Sequence, residues 1–302
     1  MTKFRILAIF DTQGWCYHKR CLALQKYAPP EFDIDIAPSF KNQIAQNNYD
    51  LIFFLPFSYV DRLRSYCDSI NKKPIIVTSF NVGWGYSNNW LAPCIKGSDA
   101  VIINSYAMWA NSGKQPNTYY IPNGVDRTIF YPTTPIEQRP QKILWCGSIF
   151  HQKIKGYEDV LIPLQKKLAA KNITLDLKLS DSTGKDKLTS EQMTQWYNSG
   201  SIYICTSLTE GTPNPALEAA SCGCTVVSTR VGNMPELIVN GTNGYLVDNR
   251  DINTFYNYIL LALSKKDLLC NNMQKTISSW DWKTRSNEFF SLFKNLIETK
   301  KI

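Results

Sequence analysis

Ser201-Ile202-Tyr203-Ile204-Cys205-Thr206, then Glu210-Gly211-Thr212-Pro213-Asn214-Pro215-Ala216-Leu217-Glu218, then Thr225-Val226-Val227-Ser228 follow one another in close succession. The two flanking runs are apolar at their centres, Ile202–Cys205 and Val226-Val227, with small Ser or Thr at the ends, as strands buried on both faces can be. The middle run opens with Gly211, which permits a tight turn or a close backbone approach. Asn214 suits an N-cap and Pro215 a first helical position, so a helix is expected from about Asn214 to Ser221. Strand, turn, helix and strand make one βαβ unit of a parallel sheet.

The same alternation extends in both directions. Upstream, strands are expected at Phe4–Phe10, Phe32–Ala37, Leu51–Leu55, Pro74–Ser79, Ala100–Asn104 and Thr118–Ile121, with helical patterns at Cys16–Lys26 and Val60–Ile70. Around the central unit, strands at Lys142–Cys146 and Leu175–Leu179 alternate with helices at Tyr157–Lys171, Ser190–Ser199 and Ile252–Leu263. Asp281–Ile297 reads as a final amphipathic helix. A Pro- and Thr-bearing stretch without apolar periodicity separates the halves. The expected organisation is α/β, with two Rossmann-like doubly wound domains. Residues 1–133 form the first domain, 134–141 a linker, 142–279 the second domain, and 280–302 a helix returning to the first.

Composition narrows the class. The chain has 302 residues, 44% hydrophobic and 19% charged, as expected of a folded globular protein. Its nine cysteines form no CxxC pair and there are only two histidines. A disulfide framework and a His/Cys metal site are therefore not expected, and a reducing cytoplasm is the natural setting. No apolar run is long enough to cross a bilayer, and the start Met1–Phe10 reads as a buried strand rather than a signal peptide. The net charge of +8 suits acidic partners: phosphate donors, the anionic inner face of a membrane in a peripheral contact, or nucleic acid.

Several chemistries are excluded by their missing signatures. Asp11-Thr12-Gln13-Gly14 stands where a dinucleotide-binding GxGxxG would follow the first strand. The chain has neither GxxxxGK[ST] nor GxSxG. Asp33 and Asp35 have the DxD spacing of a metal site, but alternation with Phe32, Ile34 and Ile36 places both on the outer face of a strand.

The Glu210–Glu218 segment carries the functional signal. A helix start at the carboxyl end of a strand attracts a diphosphate. Ionised carboxylates only accept hydrogen bonds, so Glu210 and Glu218 suit the hydroxyls flanking that diphosphate, those of a sugar and a ribose. From the residues alone, a solvent-facing Glu210 and a Glu218 that only complements the helix dipole serve equally well.

The chain resembles the family-4 retaining glycosyltransferases of the GT-B fold. The resemblance rests on Glu210 to Glu218 with seven residues between, on Glu218-Ala219-Ala220-Ser221-Cys222-Gly223, and on Thr225-Val226-Val227. It continues through Val231-Gly232-Asn233-Met234-Pro235-Glu236 and Asn240-Gly241-Thr242-Asn243-Gly244. Ile121-Pro122-Asn123-Gly124-Val125-Asp126, Gly147 with Lys155-Gly156, and Ser279-Trp280-Asp281-Trp282 extend it over Ile121–Trp282.

This resemblance implies a retaining, metal-independent transfer from a UDP- or GDP-linked sugar, with no cofactor. Bacterial polysaccharide or lipid-linked glycan assembly is the commonest setting, and a modified nucleic-acid base is another possible acceptor. Glu210 would hold the transferred sugar, Glu218 the ribose, and Lys155 the diphosphate. Gly211, Thr212, Pro213, Asn214, Pro215 and Ala216 would surround the donor, with Gly147, Ser148 and Lys153 nearby. Gly14 and His18 match the family's glycine turn and following histidine. Trp15, Trp84 and Tyr86 are candidate acceptor platforms. Two departures stand out. Ser148 replaces an arginine usual after the glycine, and no histidine follows the fourth strand. A catalytically silent GT-B nucleotide- or glycan-binding partner is the alternative that these departures allow.

Overall fold

The computed structural model describes residues 3–81, 88–180 and 188–300. The chain divides into two compact units, Met1–Gly124 with Trp282–Ile302, and Val125–Asp281.

In the first unit, strands β1 (Phe4–Ile9), β2 (Phe32–Ala37), β3 (Leu51–Phe54), β4 (Ile75–Phe80), β5 (Ala100–Ile103) and β6 (Thr118–Tyr120) alternate with helices. These helices are α1 (Cys16–Lys26), α2 (Lys41–Gln46), α3 (Val60–Ser69), α4 (Asn88–Gly97) and α5 (Tyr106–Asn111). The strands form a parallel sheet in the order β2-β1-β3-β4-β5-β6. β3, β4 and β5 are buried along their whole length, which explains why β3 and β5 read as unbroken apolar runs and why β4 admits, as polar residues, only the small Thr78 and Ser79. β2 is an edge strand. Its Asp33 is exposed, and Asp35 accepts from Tyr49 Oη at 2.7 Å and pairs with Arg5 at 3.1 Å, so the Asp33–Asp35 spacing serves the sheet edge.

In the second unit, β7 (Lys142–Ser148), α6 (Gln152–Lys155), α7 (Ile162–Ala169), β8 (Thr174–Ser180), α8 (Ser190–Asn198) and β9 (Ile202–Cys205) come first. They are followed by α9 (Asn214–Ser221), β10 (Thr225–Thr229), α10 (Met234–Leu237), β11 (Gly244–Val247), α11 (Ile252–Ser264) and α12 (Lys266–Ile277). This sheet is also parallel, in the order β11-β10-β9-β7-β8. The expected helix at Tyr157–Lys171 is a π turn over Tyr157–Leu161 that runs into α7.

The unit boundaries differ from the sequence reading. Val125–Arg139 packs with the second unit: Val125 and Phe130 lie in its core, and Ser221 Oγ donates to Phe130 O at 2.5 Å. Arg139, assigned to a linker, is 4% exposed. Its guanidinium donates to Asn198 Oδ1 (2.7 Å), Cys222 O (2.8 Å), Gly200 O (3.3 Å) and Thr134 O (2.9 Å). The chain leaves this unit between two tryptophans. Trp280 belongs to its core, and Trp282 opens α13 (Trp282–Lys300), whose Phe289, Phe290 and Phe293 lie in the core of the first unit. Among the described residues, no helix is long and apolar enough to cross a membrane.

Candidate donor site

Three loops of the second unit emerge from the carboxyl ends of adjacent strands β10, β9 and β7. Parallel packing sends all three in one direction, the usual place for a ligand in an α/β sheet. Backbone and side-chain hydrogen bonds staple the β7 and β9 loops together, with Arg250 from the segment after β11. Leu208 N–H donates to Ile154 O (2.8 Å), Thr206 Oγ1 to Lys155 O (2.6 Å), and Arg250 Nε to Thr206 O (2.8 Å). Arg250 also donates to the carbonyls of Lys153 and Ile154. Gly232 has a φ of +53°, and a Cβ there would lie 2.4 Å from Gly211 O, so only glycine lets the β10 loop touch the turn before α9.

These staples bring Lys155 to Glu210. The ammonium is ion-paired with Glu210 Oε1, which also accepts from Ser207 Oγ at 2.7 Å. The two side chains are only 21% and 14% exposed. Burial is the largest single influence and works against the Lys155 charge, but Glu210 together with the nearby Cys205 and Cys146 holds the ammonium's pKa above the ordinary lysine value. Lys153 is exposed, so Lys155 is the cation set against Glu210.

Glu218 lies one turn along α9 and is 8% exposed. Its Oε2 accepts from Tyr197 Oη at 2.9 Å. Tyr197 is fully buried, and its hydroxyl and that of Tyr203 lie 3.8 and 3.6 Å from Cys146 Sγ. Burial pushes the Cys146 thiol up to about 11, so it stays protonated at neutral pH.

The α9 start corrects the sequence reading. Pro213, not Asn214, is the N-cap, without a side-chain hydrogen bond, and Asn214 is the first helical residue. The N–H groups of the first turn do not form a bare anion cradle. Asn214 N–H donates to Thr212 O (2.9 Å), Pro215 has no N–H, and Ala216 N–H donates to Pro213 O (2.8 Å). The helix therefore offers its dipole, and Lys155 supplies the full charge. Thr212 Oγ1 accepts from Asn233 Nδ2 at 3.2 Å, and Ala216 is fully buried. Gly147 and Ser148 end β7, and Ser148 Oγ accepts from Phe150 N–H at 3.3 Å, capping the turn where the family carries an arginine.

Gly14, Trp15 and His18 lie in the first unit. Gly14 has a φ of +75° and donates its N–H to His18 Nδ1 at 2.9 Å, so neutral His18 carries its proton on Nε2. The ring packs on Phe10 at 4.4 Å and lines a polar cavity of about 730 Å³ with Gln13, Asp35 and Gln43. A second, more apolar cavity of about 840 Å³ opens beside it, lined by Phe10, Asp11, Phe40, Tyr59, Arg62 and Tyr66. Trp15 is 39% exposed and does not line either cavity, and Trp84 and Tyr86 lie outside the described residues. Among the described residues, no group of three or more His, Cys, Asp or Glu could hold a metal ion.

Tyr197, Ser207, Asn233 and Arg250 were not singled out from the sequence. Asn233 lies in the Val231–Glu236 run, but no role was attached to it; Ser207 reaches Glu210 within its own loop, whereas Tyr197 and Arg250 meet their partners only through the fold.

Residues 140–265 match the family described as glycosyl transferases, group 1. A D-inositol 3-phosphate glycosyltransferase of Arthrobacter sp. (strain FB24) is 28% identical over 159 residues, 42% of this chain and 37% of that protein. The match thus covers little more than a third of that relative. A second D-inositol 3-phosphate glycosyltransferase, of Pseudarthrobacter chlorophenolicus, is 31% identical over 159 residues, again 42% of this chain and 37% of the relative. Among solved structures, sucrose-phosphate synthase from Thermosynechococcus elongatus superposes with a TM-score of 0.76 at 14% identity, covering 98% of this chain and 100% of that one. Anabaena HepE in complex with UDP-glucose gives 0.70 at 16% identity, covering 96% and 99%. The chain therefore has the GT-B fold, and its residues 140–265 are similar to the group 1 glycosyl transferases.

Proposed function

We propose that the protein is a retaining family-4 glycosyltransferase that moves a sugar from a nucleoside-diphosphate donor to an acceptor without a metal. The observation that carries this reading is the juxtaposition of Lys155, Glu210 and the start of α9, with Glu218 one turn further on. Lys155 is the compact cation for the diphosphate, helped by the α9 dipole. Glu210 accepts from hydroxyls of the transferred sugar, and Glu218 from those of the ribose. A UDP-linked donor is favoured because HepE was solved with UDP-glucose.

Retention follows a front-face route. The bond from the anomeric carbon to the diphosphate oxygen breaks, and the acceptor oxygen bonds to that carbon from the same side. The departing oxygen takes the acceptor's proton. The protein's part is to align the reactants and stabilise the diphosphate as it leaves.

The apolar cavity of the first unit is our candidate acceptor chamber. Tyr59 is 49% exposed beneath the Arg62 guanidinium, a platform for a sugar ring or other amphipathic group. A glycan or lipid-linked glycan suits it best, and a nucleic-acid base would fit the basic surface.

Calorimetry with UDP, GDP and their sugars tests the assignment, paired with released-nucleotide assays on a donor panel in EDTA. Glu218→Ala should weaken nucleotide binding about tenfold or more, and Glu210→Ala should lower turnover more than affinity. Wild-type behaviour of both variants would remove the site assignment, and loss of transfer in EDTA would remove its metal-free character.

A further inference from the structure

We propose that Tyr197 is the positioning residue for Glu218, setting how strongly the site distinguishes a ribose from a ribose lacking its hydroxyls. The inference rests on the ribose reading of Glu218 above. Its basis is geometric. A glutamate has three rotatable bonds, and its value as a hydroxyl acceptor depends on holding one orientation before the ligand arrives. Tyr197 supplies that hold. Its hydroxyl donates to Glu218 Oε2 at 2.9 Å. Its own ring cannot drift, because Phe130 (6.1 Å), Trp196 (5.2 Å) and Tyr203 (6.0 Å) surround it and none of its surface is exposed.

The phenol is also a dependable donor. Burial, then the nearby Cys146 and Glu218, push its pKa well above the ordinary tyrosine value, so it stays protonated throughout the working range. A charge-assisted hydrogen bond within a buried network is stronger than one at the surface. Tyr197 comes from α8 and Glu218 from α9, so the contact locks two helices as well as one carboxylate. Sequence motifs miss it because only Glu218 lies within the Glu210–Glu218 segment.

The test compares Tyr197→Phe, Glu218→Gln and Tyr203→Phe in the full chain. Tyr203→Phe is the control: its hydroxyl is equally buried but lies against Cys146 instead of Glu218. Calorimetry measures the affinity for UDP and for 2′,3′-dideoxy-UDP, and thermal unfolding is recorded for each variant. We expect Tyr197→Phe to cut the ribose preference, the ratio of the two dissociation constants, by about tenfold. Tyr203→Phe should leave that ratio unchanged even where stability falls. A ratio that drops in Glu218→Gln but not in Tyr197→Phe overturns the positioning role while the ribose reading stands. A ratio that falls equally in Tyr197→Phe and Tyr203→Phe reduces Tyr197 to packing, and overturns it too. No change in any variant removes the ribose reading and this inference together.

Discussion

Glu210→Gln should make the protein bind UDP more tightly while it transfers sugar more slowly. In the free protein Lys155 is engaged by Glu210, so an arriving diphosphate must compete for the ammonium. Hydrogen bonds to charged groups are worth about 1.5–3 kcal/mol. The side chains are 21% and 14% exposed, so water screens the pair only partly, and we take roughly 1.5 kcal/mol, near the low end of that range. Glutamine keeps the size and can still accept from Ser207, but it no longer holds the charge. The dissociation constant for UDP should therefore fall about tenfold at low ionic strength, and the gain should shrink as salt rises.

The pH dependence has a definite sign. Glu210 raises the Lys155 pKa, so the pair's contribution is fully present below the ordinary lysine value and is lost only as pH climbs through the raised one. Wild-type UDP binding should thus show no Lys155-linked change between about pH 6 and 9. Removing the carboxylate takes away the leading influence that raises the Lys155 pKa while burial still lowers it, so the advantage of Glu210→Gln should erode from the alkaline side first. Calorimetric titration with UDP at two salt concentrations and three pH values reads all of this. Equal or weaker UDP binding by Glu210→Gln at low salt would refute the idea that Glu210 withholds Lys155 from the diphosphate.

Two further substitutions probe the frame that carries the site. Gly232→Ala places a methyl carbon 2.4 Å from Gly211 O at a positive φ. It should cost about 1–3 kcal/mol in urea unfolding, and donor turnover should fall because the 210–212 turn must move. Arg139→Ala removes the guanidinium that donates to the Cys222 and Gly200 carbonyls and to Asn198 Oδ1, although Asn198 Oδ1 still accepts from the Thr133 and Thr134 N–H groups. It should lower the urea midpoint of the second unit, at a cost of about 2–4 kcal/mol, while UDP affinity measured well below that midpoint stays within about twofold of wild type.

Much of the fold was legible from the residues. Apolar runs such as Leu51–Phe54 and Ala100–Ile103 are strands covered on both faces, and the periodicity of Cys16–Lys26 and Ser190–Asn198 marks helices, because burial imposes a period of two or of 3.6 on neighbouring residues. The segment from Glu210 to Glu218, with a turn before a helix, was equally readable. What local pattern could not supply was partnership across the chain. Proline and threonine made 134–141 look like a spacer, yet Arg139 is buried because its acceptors come from Asn198, Gly200 and Cys222. Asn214 looked like a cap, yet the turn places Pro213 there and engages the N–H groups that seemed available. Composition along the chain determined which segments become strands and helices and which segment would bear the chemistry. Only the folded sheet decided that Lys155 faces Glu210 and Tyr197 faces Glu218, because hydrogen-bond partners 55 and 21 residues apart meet through strand order, which no short stretch of sequence contains.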